Sequence, residues 1–263
     1  MIPQEVWEQI KPIFALAYPC EAVVAVMPDL TWRHLENTAA DPLRGFDISQ
    51  ADMADLMEEP PLVLLHSHCS GIADPSDLDT LQQMATGWTW GIVAVTGNLQ
   101  GQVYNVAYPE VWGDEAPIPP LNGRTYLWAI RDCWSYVRDY YRLQGFDVPN
   151  VPRYRERSAY PPNHQAHRPF GHFPTLVGFE QVPRSQRQPG DCCTLIVQPE
   201  FNPNEPNHCA VYLGNGKYGQ QLIGQTSNEW TPQNEELMLQ KWSATFYRWK
   251  PTHGQSHHQG TAS

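Results

Sequence analysis

The sequence predicts two domains of different class, an α/β layered domain followed by an α+β domain built on an antiparallel sheet. Residues 1–100 alternate helix-period with strand-period segments, and the last third carries short apolar runs separated by Asn, Pro and Gly. Between them WGDEAPIPPLNG at 112–123 concentrates three prolines and two glycines. The expected layout is therefore a first domain at 1–111, a linker at 112–123, a second domain at 124–250 and a mobile tail at 251–263. Charge divides the same way: residues 1–100 hold 14 acidic and 3 basic side chains, and residues 101–263 hold 14 of each.

The elements follow in order. Val6, Ile10, Phe14 and Ala17 recur at spacings of four and three, which predicts an amphipathic helix over 3–17, kinked or split by Pro12. AVVAVM at 22–27 reads as a buried strand, and DISQADMADLMEE as a helix capped by Ser49 or Asp47. LVLL at 62–65 has strand length and runs directly into His66-Ser67-His68. A helix over 74–85 and a buried strand over 91–97 complete the first domain. In the second, a helix over 132–143 carries Cys133, Val137 and Tyr141 on one stripe. Residues 149–190 are rich in Pro and Arg with little period, apart from a short helix around PTLVGF. The strands expected beyond are 193–198, 209–214 and 220–224.

Composition narrows the functions. The 263 residues are 41% hydrophobic and 17% charged, with 10 Trp, 12 Tyr and 8 Phe, enough buriable surface to fold. A net charge of -11 argues against a general grip on nucleic acid or an anionic membrane. No phosphate-loop or dinucleotide motif is present, since GNGKYG lacks the spacing of either. No run reaches the roughly 20 apolar residues of a membrane span, and MIPQEVWEQIKPIF does not read as a signal peptide. The six cysteines form no C-x-x-C unit and are expected to be mostly reduced thiols of a cytoplasmic protein.

Two constellations carry chemistry. A strand's period of two points His66 and His68 to one face, and Asp79 follows after a loop long enough to return the next helix to them. Two imidazoles and a carboxylate would hold zinc with a fourth position open. Glu21, at the start of the first strand, is the acid to place opposite as proton acceptor, and Ser76 could donate to a developing oxyanion. The bland readings stand beside these: a hydrogen-bonded strand end for the histidines, a helix capping box for Ser76 and Asp79, a surface carboxylate for Glu21. Cys69 would point to the strand's other face.

In the second constellation, Cys133 follows the N-cap residue Asp132, so its thiol lies in the first helical turn, where the dipole favours thiolate while the Asp132 charge opposes it. His208, opening the strand HCAVYLG, is the candidate base, and Gln220 could orient its ring. His164, His167 and His172 are alternative bases. The structural alternatives are a buried thiol and a strand-end hydrogen bonder.

Both constellations resemble known families. Glu21, then His66-Ser67-His68, then Ser76-x-x-Asp79 resembles the motif of JAMM or MPN-plus metallopeptidases, and ENTAADPLRGFDIS resembles the segment between Glu and histidines in tail-associated members. That resemblance implies a cytidine-deaminase-like layered α/β domain, Zn2+ on His66, His68 and Asp79, Glu21 as general acid/base and Ser76 as oxyanion helper. Cys69 stands where a proline usually follows the second histidine. Asp132-Cys133-Trp134-Ser135, Pro189-Gly190-Asp191 and Asn207-His208-Cys209-Ala210-Val211-Tyr212-Leu213-Gly214 resemble NlpC/P60 cysteine peptidases. This implies a papain-like α+β domain with Cys133 as nucleophile, His208 as base and Gln220 as the third residue, where many members have histidine. The implied substrate is the peptide of the bacterial cell wall.

The pairing of the two is similar to tail-tip assembly proteins of lambda-type tailed phages. It implies a peptidase that works with phage tail-tip proteins and is made in the host cytoplasm, its retention on the virion tail left open, or else an assembly scaffold in which one or both sites are degenerate.

Overall fold

A computed structural model describes residues 2–155, 159–161, 164–167, 169–198 and 204–250. The expected tail at 251–263 lies outside the described residues. The chain divides into two compact units, Met1–Pro117 and Ile118–Ser263.

The first unit opens with α1 (Gln4–Ala17), which is continuous through Pro12. Pro12 sits on the exposed side, where water can take the carbonyl that its missing N–H leaves free. There follow β1 (Val23–Val26), β2 (Trp32–Leu35), α2 (Gln50–Glu58), β3 (Val63–His68), α3 (Asp77–Thr86), β4 (Trp90–Gly97), β5 (Val103–Val106) and β6 (Glu110–Trp112). The sheet order is β2-β1-β3-β4-β5, with β6 also on β4; β3 and β4 are parallel and the other pairs antiparallel. Trp112, taken above as the first linker residue, is the buried end of β6.

Alternation sorts the side chains. Val63 and Leu65 of β3, with Val93 and Val95 of β4, pack under Trp7, Ile10 and Phe14 of α1. His66 falls on the opposite face against Phe46, Trp90 and Trp112, with ring centroids 4.6, 5.8 and 6.4 Å away. One face of the sheet is thus dry aliphatic core, and the other holds polar groups among aromatic rings.

The second unit contains α4 (Cys133–Arg142), α5 (Pro169–Leu176), β7 (Phe179–Val182), β8 (Cys192–Leu195), β9 (His208–Gly214), β10 (Lys217–Gln220), β11 (Asn228–Trp230), α6 (Glu235–Lys241) and β12 (Thr245–Trp249). All pairings in its sheet, ordered β11-β10-β9-β8-β12-β7, are antiparallel. Trp134, Val137 and Tyr141 of α4 enter a core with Cys192, Cys209 and Val211, and Cys133 packs at its margin. Gly219 permits the close approach of α4 to β10: a Cβ there would stand 2.5 Å from the Tyr136 hydroxyl.

Three expectations shift. The strand expected at 220–224 is Lys217–Gln220, and Leu222–Gly224 form a turn, because β9 pairs with 217–220 across a two-residue hairpin. The helix expected around PTLVGF starts earlier, at Pro169, and Phe179 opens β7. The segment expected to lack period also supplies β7, an edge strand whose exposed Glu180 and Gln181 hide its pattern.

Two candidate active sites

In the first unit, backbone pairing sets the geometry. Val23 lies opposite His66 in the antiparallel β1–β3 register. Ser67 N donates to the Ala22 carbonyl at 3.0 Å, and Ala22 N donates to Ser67 Oγ at 2.9 Å, which carries Glu21 across from His68. Asn37 Nδ2 clamps the Glu21 carbonyl at 2.8 Å and the Gly45 carbonyl at 3.1 Å. A carboxylate oxygen of Glu21 and one nitrogen each of His66 and His68 lie within 4.8 Å of one another.

Asp79 closes the cluster. Its Oδ1 is 3.4 Å from His66 Nε2, its Oδ2 is 3.3 Å from His68 Nε2, and the two Nε2 atoms are 3.1 Å apart. It also forms a complete capping box: Asp79 Oδ2 accepts from Ser76 N at 2.7 Å, and Ser76 Oγ accepts from Asp79 N at 3.1 Å. The capping and ligand readings of Asp79 are therefore compatible in one conformation. Gly87, left-handed at φ 70, ends the same helix.

Donor chemistry and spacing fit zinc. Ligands about 2.0–2.2 Å from a tetrahedral ion stand roughly 3.3–3.5 Å from each other, close to the separations found. Burial holds His66 below the usual histidine range, in the neutral form that ligates. For His68 burial opposes protonation, but hydrogen bonding and charge from Asp79, with Glu21, outweigh it and move the group up. Burial alone would raise Asp79; the two imidazoles overcome it and hold the carboxyl well below the usual range. Glu21 is pushed up to about 7, mainly by burial. His66 Nδ1 is buried without a hydrogen-bond partner, so on that side the ring is held by packing against Phe46. Cys69 donates to the Cys20 carbonyl at 3.3 Å, and burial pushes its thiol up to about 11, which leaves it a protonated loop tie.

In the second unit, Asp132 caps α4 by accepting from Ser135 N at 2.8 Å, which sets Cys133 at the first helical position. The Cys133 thiol falls well below its ordinary range: a hydrogen bond from Cys209 is the largest cause, burial opposes, and hydrogen bonding and charge from His208 add to the lowering. His208 Nε2 faces Gln220 Oε1 at 3.1 Å, which leaves Nδ1 for the sulfur. Both His208 and Gln220 are buried. Asn207 fixes the start of β9, accepting from Val197 N at 3.0 Å and donating to the Gln198 carbonyl at 2.8 Å.

Cys133 and His208 line a cavity of about 500 Å³ whose walls include Tyr126, Trp128, Phe170 and Ile223. All six cysteines are free. Cys192 and Cys193 are fully buried with their thiols pushed up by burial, opposite to the direction of Cys133. Of the alternative bases, His164 Nδ1 accepts from Ala166 N at 3.1 Å, and His167 Nε2 lies 3.2 Å from the Tyr160 carbonyl. The His172 side chain lies outside the described residues.

Sequence reasoning missed Arg153, Asn37 and Ser67. Arg153 Nε meets Asp132 Oδ2 at 2.8 Å with both side chains buried, in a loop that has no periodic signal. Asn37 lies in a polar loop whose sequence gives no sign of a clamp, and Ser67 stands between the histidines.

Residues 123–246 match the NlpC/P60 family. The second unit thus has the α+β, papain-like NlpC/P60 fold. Among individual proteins the chain is similar to "Tail tip assembly protein K" of Escherichia phage lambda, 28% identical over 169 residues covering 61% of this chain and 69% of that protein. It is also similar to "Tail tip assembly protein K" of Escherichia phage N15, 31% identical over 112 residues covering 40% of each. Among solved structures, an NlpC/P60 family protein from Bacillus cereus ATCC 10987 aligns with a TM-score of 0.34 and 12% identity, covering 91% of this chain and 67% of that one. No described helix is long and apolar enough to cross a membrane.

Proposed function

We propose that this chain is a phage tail-assembly protein with two peptidase centres, the second of which cuts peptides of the bacterial cell wall. The observation that carries this reading is the contact of Cys133 with His208, both at the wall of the 500 Å³ cavity, and of His208 with Gln220. The Cys133 thiolate attacks the scissile carbonyl carbon and forms an acyl-enzyme. His208 protonates the leaving amine, then accepts a proton from the water that frees the acid. Gln220 orients the imidazole through its amide oxygen, and lacks the charge with which a carboxylate would stabilise imidazolium.

In the first unit His66, His68 and Asp79 would hold Zn2+, which when bound supplies Lewis-acid activation for amide hydrolysis. Glu21, buried and raised, holds and releases a proton at its carboxyl oxygen. Ser76 Oγ accepts from Asp79 N and keeps its own hydrogen for a substrate oxygen. This arrangement supports the JAMM-like reading of the constellation. The lambda and N15 relatives support tail-tip proteins as partners.

The competing reading, a scaffold with spent sites, is favoured by Gln220 and Cys69 standing where histidine and proline are usual. Labelling with a thiol-reactive peptide and metal analysis of the purified chain decide between them. The peptidase reading expects Cys133 to be labelled and about one zinc per chain, lost in Cys133→Ala and His66→Ala respectively. Absence of both signals in the wild type establishes the scaffold.

A further inference from the structure

Asp132 presents a difficulty at the thiol site. A carboxylate next to Cys133 should disfavour the thiolate, yet the N-cap of α4 requires it. The resolution lies 21 residues on. Arg153 Nε donates to Asp132 Oδ2 at 2.8 Å, its Nη2 donates to Ser135 Oγ at 2.9 Å and to the Ala129 carbonyl, and its Nη1 donates to the Val151 carbonyl at 2.6 Å and to Asn150 Oδ1. Asp132 Oδ1 is taken by Ser135 N at 2.8 Å and Ser135 Oγ at 2.9 Å, and Oδ2 also accepts from Ala129 N at 3.1 Å. Every lone pair of the carboxylate that could face the sulfur is engaged, and its charge is matched inside the protein.

We propose that Arg153 is a positioning residue for the cysteine nucleophile: its guanidinium fixes the loop before α4 and offsets part of the Asp132 charge, so that the helix start favours the Cys133 thiolate. This rests on the reading of Cys133 as nucleophile. Arg153 itself touches no reacting atom, and a lysine would supply the charge without the planar fork that spans Asp132, Ser135 and Ala129. The other groups around the sulfur are His208 and Cys209 from β9, and Cys192 from β8. With Arg153 removed, the Asp132 carboxylate stands uncompensated among them and opposes the thiolate.

The test is the pH dependence of Cys133 alkylation by iodoacetamide in the full chain, read by mass spectrometry for wild type, Arg153→Gln, Arg153→Lys, Asp132→Asn and Arg153→Gln/Asp132→Asn. Circular dichroism confirms that each is folded. Wild type should react at pH 6, and Arg153→Gln should react about tenfold more slowly there, its midpoint displaced upward by about one pH unit. Arg153→Lys should fall between the two. Asp132→Asn alone should keep or lower the midpoint, because the opposing carboxylate is gone while the Arg153 charge remains, and the double variant should return toward wild type.

A wild-type midpoint in the range of an ordinary thiol, about 8.5, overturns the Cys133 reading itself. A depressed wild-type midpoint that Arg153→Gln leaves unmoved overturns the role of Arg153 alone. If Arg153→Gln does not fold, Asp132→Asn still decides, since an upward move there contradicts the charge offset.

Discussion

The two units build their sites in opposite ways. In the first, one residue serves fold and chemistry together, since Asp79 caps α3 and faces both imidazoles. In the second, these duties are split between neighbours: Asp132 caps α4 and Cys133 carries the reactive sulfur. Where the roles are fused, damage to the site is damage to the fold. Where they are separated, chemistry can be removed from an intact domain.

The largest expected effect breaks the second site alone. Cys133→Ala should reduce peptide cleavage by the second unit at least ~10³-fold while its melting temperature stays close to wild type, because the half-buried thiol sits at the margin of the core. A melting temperature that falls with activity would show that the separation is not real. The fused site should behave differently. Asp79→Ala should lose zinc and also destabilise the first unit by about 0.5–1.5 kcal/mol through the lost half of the capping box. Asp79→Asn, which can still accept from Ser76 N, should weaken zinc binding with little change in stability; chemical denaturation and metal analysis of the two variants measure the difference.

A smaller effect sharpens the comparison within the thiol site. Gln220→Ala should lower kcat roughly tenfold to a hundredfold, with KM little changed, since the amide orients a ring and touches no substrate. Smaller still is the response to acid. A lowered thiol is deprotonated above its folded-state value, so thiolate should persist as pH drops through 8 toward 6, where an ordinary cysteine is almost wholly protonated. Alkylation of wild type at pH 6 and pH 8 should therefore differ by much less than the hundredfold an unperturbed thiol would show.

Much of this was legible before any coordinates, and the omissions have physical causes. α1, β3 and α3 announced themselves through spacing four and three, an apolar run, and a capping box. β2 and β5 were invisible because each has two exposed residues among its four. The apolar tail of QQLIG drew the expected strand too far, whereas the hairpin at Asn215-Gly216 governs where β10 begins. Cys133 and His208 were placed at the starts of regular elements as the structure has them, whereas Gln220, expected to open its strand, closes β10. Arg153 was not legible: in a Pro- and Arg-rich loop no period separates a buried guanidinium from a solvated one, and only the fold shows that it meets Asp132.

The central claim is that the Cys133–His208 pair does the cutting and that the metal-type cluster is a separate centre. Digestion of purified cell-wall stem peptides by wild type, His66→Ala and Cys133→Ala, with the cut bond assigned by mass, tests it most directly. Wild type and His66→Ala should release the same fragments and Cys133→Ala none. Fragments released by Cys133→Ala at the wild-type rate would contradict the account.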